Sequence, residues 1–402
     1  MIKFHPTLAI LISLLLASCG ASESTPNQKK RGATPNPLAL DKFTYIQIDS
    51  TKAMWGDFDS PEWLRYFGLA MGDVDGDGKA DIVSGRNVYL NPGGDMSGTW
   101  IKEDLGRNVD GNLILGAGAN TYILGEALPD VVRFRRKADG NYAQDVIVKV
   151  PPTGHHNGQG YRTADINNDG KLQAIYASLG GIYVITQDDS QSWRVNLVAI
   201  DASDEGFAVA DMDNDGDLDF AAGYRAPGGD AEVPTYVCWF ENKGTLSMPW
   251  IRHEVGRTIN AVDRVEAADF NGEGQTDVAV AEERYPGLEP DANLWVYTQV
   301  DTGFVREAVV TQFSMNNLHA VDIDQDGDTD LLTSEHKGER LALQAWINDG
   351  EGGFSESEID TGKENHLGAR AFDMDGDGDL DILGIGWDQH KFVHLWRNDA
   401  IK

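Results

Sequence analysis

Six stretches of the chain repeat one arrangement of acidic residues, most cleanly Asp373-Met374-Asp375-Gly376-Asp377-Gly378-Asp379-Leu380-Asp381. Carboxylates at positions 1, 3, 5 and 9, with glycine at 6 permitting a sharp turn, direct hard oxygen donors at one point, which is the coordination chemistry of calcium. The other copies hold Asp73, Asp75, Asp77 and Asp81; Asp165, Asn167 and Asp169; Asp211, Asp213, Asp215 and Asp219; Asp269, Asn271, Glu273 and Asp277; and Asp322, Asp324, Asp326 and Asp330. The expected cofactor is therefore Ca²⁺, up to six ions. The copy at Asp165 carries Gln173 at position 9 and is expected to bind more weakly. Asp and Gly also build turns without metal, but turn preference alone does not explain six copies in register. An EF-hand does not fit. No bidentate glutamate stands at position 12, and a strand-like run such as Asp381-Ile382-Leu383 follows where a helix is needed.

Loops of this kind need a periodic scaffold. The motifs start at residues 73, 165, 211, 269, 322 and 373, and the first gap is twice the second, so a further unit lies inside it. Residues 113–134 fill that gap: Leu128-Pro129-Asp130-Val131-Val132 reads as the end of the motif, while Tyr122, Leu124 and Glu126 stand where the first three ligands belong. This second unit is expected to lack calcium. Seven repeats of about fifty residues indicate propeller blades or a solenoid. The first unit divides into strands at residues 67–72, 81–84, 87–91 and 99–105, separated by Gly, Asn and Pro with no helical period, which argues for an all-β blade. The last unit has only three strands. Residues 43–50 alternate like the fourth strand of the unit before it, so they are expected to close the ring on the outer edge of the last blade, removing an exposed sheet edge.

On these residues, the run 67–83 and its six relatives, the chain resembles the FG-GAP or VCBS repeat family across about residues 43–399. The resemblance implies an all-β, seven-bladed β-propeller of four-stranded antiparallel blades, with calcium in the loop between the first two strands of a blade. It is specific for fold and not for function, since propellers of this kind serve as adhesion modules, lectins and polysaccharide lyases.

Net charge is −32, and even six calcium ions would leave the protein strongly acidic. With no basic patch or base-stacking motif, nucleic acid is excluded as a partner. Residues 1–18 have the anatomy of a signal peptide, with an apolar run too short to span a bilayer. Leu16-Ala17-Ser18-Cys19 resembles a bacterial lipobox, which implies cleavage before Cys19 and diacylation of its thiol, with Gly20 not an inner-membrane retention signal. The expected product is an exported, lipid-anchored outer-membrane monomer that touches the membrane only through its anchor. Residues 19–40 form a flexible tether rich in Ser, Pro, Asn and Lys, and residues 41–402 the propeller. Cys238 is left without an intrachain partner and is expected as a buried thiol.

In a propeller the 1–2 and 3–4 loops share one face, and the 2–3 loops and inter-blade links share the other. The acidic loops occupy the first face. The second, here the link face, collects His155, His156, Asn157, Glu205, Arg264, Asn317, His319 and His366 from the links, and Tyr224, Arg225, Glu282, Arg284, His336 and Trp387 from the 2–3 loops. Six of the nine histidines fall there, counting His390. The 2–3 loops at 224–235 and 282–293 are the longest, and long loops on a rigid scaffold are where binding residues concentrate. One reading is a polysaccharide- or protein-binding module, with Tyr224, Tyr285 and Trp387 stacking on sugar rings. The other is a polysaccharide lyase. β-Elimination on a uronate needs a cation, a base and an acid, which Arg225 or Arg264, His156, and Tyr161 or Tyr224 are candidates to supply. Trp239, Trp295, Trp346 and Trp396 recur on third strands and are expected in the inter-blade core. No GxSxG, Walker loop, HExxH or CxxC is present.

Overall fold

A computed structural model describes residues 36–52, 68–127, 129–152, 160–188, 190–225, 235–285 and 287–401. Cys19 with its leader, and His155, His156 and Asn157, lie outside the described residues.

The strands, β1 to β28 in chain order, form seven four-stranded antiparallel sheets. Apart from a short 3₁₀ turn at Gly118–Asn120, the described residues contain no helix. Blade one is built from Ala70–Gly72, Asp81–Ser84, Asn87–Leu90 and Ile101–Asp104, within the expected bounds but trimmed at the ends. First strands of neighbouring blades touch one another and so surround the axis. Second strands are buried throughout, as in Asp81–Ser84 and Asp381–Ile385, because a blade packs on both faces. Seven apolar clusters fill the wedges, one between each pair of neighbouring blades. Trp295, Trp346 and Trp396 lie in three of them, and Cys238 is a buried free thiol in another.

The ring closes where the alternation of residues 43–50 indicates. Strand β1 (Phe43–Asp49) runs antiparallel to β28 (Val393–Asn398), pairing Phe43 with Asn398 and Gln47 with His394. The Tyr45 hydroxyl lies 2.9 Å from His394 Nδ1, and Ile46 and Ile48 pack into the cluster that joins Leu69 and Ile82 of blade one to Leu383 and Leu395 of blade seven. Asp49 then accepts from Tyr89 at 2.7 Å and Lys102 at 2.6 Å, tying the strand's end to blade one.

Blade two corrects one expectation. Tyr122, Leu124 and Glu126 lie in its second strand, β7 (Tyr122–Ala127), and Asp130 opens its third, β8 (Asp130–Arg136), so Asp130-Val131-Val132 is not the end of the motif. Alternation alone cannot separate a second from a third strand. The Pro129 before it, which has no N–H for a ladder, marks a turn. The position of the acidic loop is taken instead by Gly116-Ala117-Gly118-Ala119-Asn120-Thr121, which carries no carboxylate.

In five of the six acidic loops an aspartate at position 9 ties the loop to its blade. Asp330 accepts the position-2 amide of Ile323 at 3.0 Å with one oxygen and the amide of Asn348, at the end of the third strand, at 2.8 Å with the other. Asp81, Asp219, Asp277 and Asp381 make the same pair of bonds. The Asn348 side chain then donates to the carbonyl of Phe270 in blade five at 2.8 Å, as Asn91 does to Met374 and Asn242 to Ile166. Position 2 is apolar in every copy and is buried between blades.

Asp330→Ala strips two buried amides of their acceptor and is expected to lower stability by about 3 kcal/mol even in chelator, whereas Asp326→Ala, at an outer position of the same loop, changes it little; urea denaturation reads the difference. Burial first, then Lys363, holds His394 down at about 4 against its ordinary 6.5. Stability is complete above pH 6.5 and falls as pH drops towards 4, because the unfolded chain takes up a proton that the folded one refuses. The loss is ~3 kcal/mol at most, and His394→Gln should flatten that part of the melting-temperature profile.

Candidate functional site

In four acidic loops the carboxylates at positions 1, 3 and 9 converge, with one oxygen from each within 4.8 Å of the other two: Asp73, Asp75 and Asp81; Asp211, Asp213 and Asp219; Asp322, Asp324 and Asp330; Asp373, Asp375 and Asp381. The position-1 carboxylate also accepts the amide of the position-6 glycine, at 3.1 Å for Asp73 and Gly78. That glycine has φ of +86° in blade one and +99° in blade seven, a left-handed turn that a side chain would strain. Asp77, Asp215, Asp326 and Asp377 at position 5 each accept the amide two residues on. Burial, reinforced by neighbouring carboxylates, pushes the position-9 acids up, to about 6 for Asp81 and Asp277, about 7 for Asp219 and Asp330, and about 8 for Asp381. A cation among these oxygens relieves that repulsion, so the loops have both the donors and the electrostatics of a metal site.

Two loops differ. At Asp269, Asn271 supplies an amide beside Glu273. At Asp165, Gln173 keeps half the backbone tie, accepting from Ile166 at 2.7 Å, but turns its amide N–H towards Asp169 at 3.3 Å, and Asn167 does the same at 3.2 Å. N–H groups pointing at Asp169 oppose a cation, in keeping with the weaker site expected there.

A cavity of about 970 Å³ runs down the axis from the acidic-loop side, walled by small residues such as Ala164, Ala267, Ala320 and Ala371. Charged groups line its depth. Arg162 donates to Glu266 at 2.5 Å across the ring, and His319 Nδ1 accepts the amide of Ala371 at 3.1 Å. Arg370 donates to Asn317 Oδ1 and to the carbonyl of Leu318, each at 3.1 Å. Burial first, then Arg162, lowers Arg370 to about 10; burial raises Glu266 and sends His319 well below its usual range. Of these residues, His319 and Asn317 are among the candidates that the sequence itself points to. Arg162, Glu266, His319 and Arg370 all stand three residues before the first aspartate of a loop, a fixed offset that could have revealed them.

The link face gathers part of the expected set. Near the axis, Arg264 is buried between Asp263 Oδ1 at 3.1 Å and Glu205 Oε2 at 3.4 Å. Tyr161, half-buried, accepts the Leu69 amide at 2.9 Å, and the burial of its hydroxyl raises the hydroxyl above its usual range. Arg225 is paired with Asp204. Arg225, Arg264 and Tyr161, three of the four described residues suggested for β-elimination, are thus each engaged with the protein itself. Glu282 lies inside a strand rather than a loop and accepts from Ile259, Asn260, Asn293 and Trp295, so it is a structural anchor. Tyr224 also ends a strand, and its ring is covered by the Arg252 guanidinium at 4.0 Å. Arg284 braces its own loop through Glu289, Asp291 and the Ser314 hydroxyl. His336 and His366 stack on each other beside Glu364, whose carboxylate holds the amides of Trp387 and Asp388.

A family profile for the FG-GAP-like repeat matches residues 322–384, which span the sixth and seventh acidic loops of the propeller. The match covers two of the seven four-stranded blades, so the FG-GAP-like repeat is seen in that stretch and the rest of the ring is alike in its sheet construction. No curated protein matches it significantly. Among solved structures, an Agrocybe aegerita lectin described for specific recognition of non-reducing terminal N-acetylglucosamine is similar over 83% of this chain and 95% of its own, at 17% identity and TM-score 0.51. A catalytically inactive virginiamycin B lyase from Staphylococcus aureus, with quinupristin, is similar over 89% of this chain and 100% of its own, at 12% identity and TM-score 0.49. At 17% identity the likeness to the lectin is one of fold.

Glu266→Gln removes the carboxylate that faces Arg162 and Arg370 and is expected to cost about 3 kcal/mol. Adding Arg162→Gln should recover most of it, as read by chemical denaturation of the single and double variants.

Proposed function

We propose that this chain is an exported, lipid-anchored propeller that calcium stiffens on one face and that binds a glycan or protein ligand with the other. The observation that carries the reading is Tyr285. Its ring is 83% exposed, on a loop braced by Arg284, with Lys337 Nζ 5.7 Å from the ring centroid and the exposed Leu288 and Ile259 on the same stretch of the link face. A rigidly presented aromatic ring with charged groups around it stacks on a sugar face or anchors a peptide at small entropic cost. A lectin of the same fold is compatible with a glycan as ligand. The four convergent carboxylate clusters support calcium, and an exported protein meets calcium at the concentrations such loops need, ~10⁻⁴ to 10⁻³ M. The leader with Cys19 supports the anchor.

Calcium is tested by melting the protein with and without chelator: each site filled at a hundredfold excess over its Kd adds about 2.7 kcal/mol, so identical melting curves would remove calcium from the account. Ligand binding is tested on a glycan array. Tyr285→Ala should weaken the best hit by roughly 10-fold. A hit that survives Tyr285→Ala but is lost when Ala320→Trp fills the axial cavity moves the site to the acidic-loop side.

A further inference from the structure

On the link face, away from the acidic loops, one atom each of His336, Glu364 and His366 lies within 4.8 Å of the other two. These three are among the most deeply enclosed polar side chains in the protein, exposed by only 6%, 2% and 1%. His336 comes from the segment after the second strand of blade six; Glu364 and His366 come from the link between blades six and seven. The structure assigns them as a binding site for a divalent transition-metal ion, with zinc the best fit to the donor set.

Three features make the cluster a ligand set rather than an ordinary polar core. The first is His336. Its backbone amide donates to the Ser314 carbonyl at 2.7 Å, and its Nδ1 lies 3.1 Å from Asn316 Oδ1. An amide oxygen only accepts, so Nδ1 carries the proton and Nε2 presents a lone pair. That Nε2 is buried and has no hydrogen-bond partner. A ring nitrogen fixed as acceptor by a bond from the other nitrogen is how metal-binding histidines are held. Burial, with His366 next, keeps the ring neutral well below its ordinary range, which is the form that binds metal.

The second is His366. Its Nδ1 is buried and lies 3.0 Å from Glu364 Oε1, a charge contact without the alignment of a hydrogen bond, so the two ligand atoms already face each other. The two imidazole rings are stacked, with centroids 3.7 Å apart and planes at 15°. The backbone of His366 bridges to Ile385, so the ring is presented from a fixed chain.

The third is Glu364. Its Oε1 accepts the amides of Trp387 and Asp388, and its Oε2 accepts that of Gln389. A carboxylate offers about four acceptor positions, so one remains on Oε2. The backbone bonds orient the carboxylate as a supporting shell does around a metal.

Two imidazole nitrogens and one carboxylate oxygen suit zinc and its first-row neighbours, whereas calcium and magnesium prefer all-oxygen sets. A tetrahedral zinc ion with bonds of about 2.0–2.1 Å sets its ligand atoms roughly 3.4 Å apart, so the three need to draw in, and because the lone pairs of two stacked rings run parallel, one imidazole must also turn out of the stack for both to meet the ion. The fourth position is left for water or a ligand oxygen. An ion here would join blade six to the link that follows it and, through Glu364, to the Trp387–Gln389 turn of blade seven, clamping the last blade on the face opposite the acidic loops.

The test uses the full chain, stripped with chelator, returned to excess calcium and titrated with zinc chloride by calorimetry. One zinc ion per chain is expected above any binding at the acidic loops, and X-ray absorption of the zinc-loaded protein should show two imidazole ligands. His336→Gln and His366→Gln should each weaken that binding by more than roughly 100-fold, while Asp73→Asn leaves it unchanged. Zinc that fails to bind the wild type in calcium, or that binds both histidine variants as tightly, overturns the assignment. If the variants misfold by circular dichroism, the wild-type spectrum decides: fewer than two imidazoles overturns it.

Discussion

In five of the six acidic loops, the two oxygens of a single buried aspartate hold the loop to its blade. Asp330 bonds the start of its own loop, through Ile323, and the end of the third strand, through Asn348, and the Asn348 side chain reaches across to the carbonyl of Phe270. Loop, blade and neighbouring blade are joined in three hydrogen bonds. Each amide involved is buried and would be costly to leave unpaired. The residue that follows the first aspartate, apolar in every copy, is thereby pushed into the wedge between blades, so the polar tie and the apolar core position one another. An ion held in these loops would be layered on this frame: the carboxylates at positions 1 and 3 stand in front of an aspartate already committed to the backbone.

The same geometry explains the character of the axis. First strands converge there, and residues at one offset from the loops meet in a ring. Where that residue is alanine, as at Ala70 and Ala208, it adds no charge; where it is Arg162, Glu266, His319 or Arg370, polar and charged side chains are brought together, half-buried, about the axis. These groups are tolerated because each has a partner, Arg162 with Glu266 and Arg370 with Asn317. At the link end the same solution recurs, with Arg264 between Asp263 and Glu205. Polar residues that read in sequence as a reactive set are, at several positions, a set that neutralises itself.

Much of the architecture is legible in the sequence because it rests on short-range spacing. The glycine at position 6 announces a left-handed turn, the four-strand order follows from alternation between turns, and the pattern of residues 43–50 announces the closing strand. Blade two departs from its expected numbering because alternation marks strands without ordering them, and residues 122–127 and 130–136 prove to be its second and third strands. What spacing cannot give is which distant segments meet. Glu282 reads as a loop carboxylate and is a strand residue fastened to Trp295 and Asn293. His336 and His366 were visible as separate histidines, but Glu364 was passed over because its partner across the blade boundary is not written beside it.

The pairing of β1 with β28 sets Thr44 against Asp399, residues 355 apart in the chain. The first blade-forming segment to leave the ribosome therefore has no partner until the last one emerges. For that whole interval an alternating strand stays unpaired at its edge, and contacts of such long sequence separation form slowly. The two ends of the folded domain finish side by side, so the ring has no intrinsic beginning: joining residue 43 to residue 399 and opening the chain in a surface turn would leave every blade with its four strands.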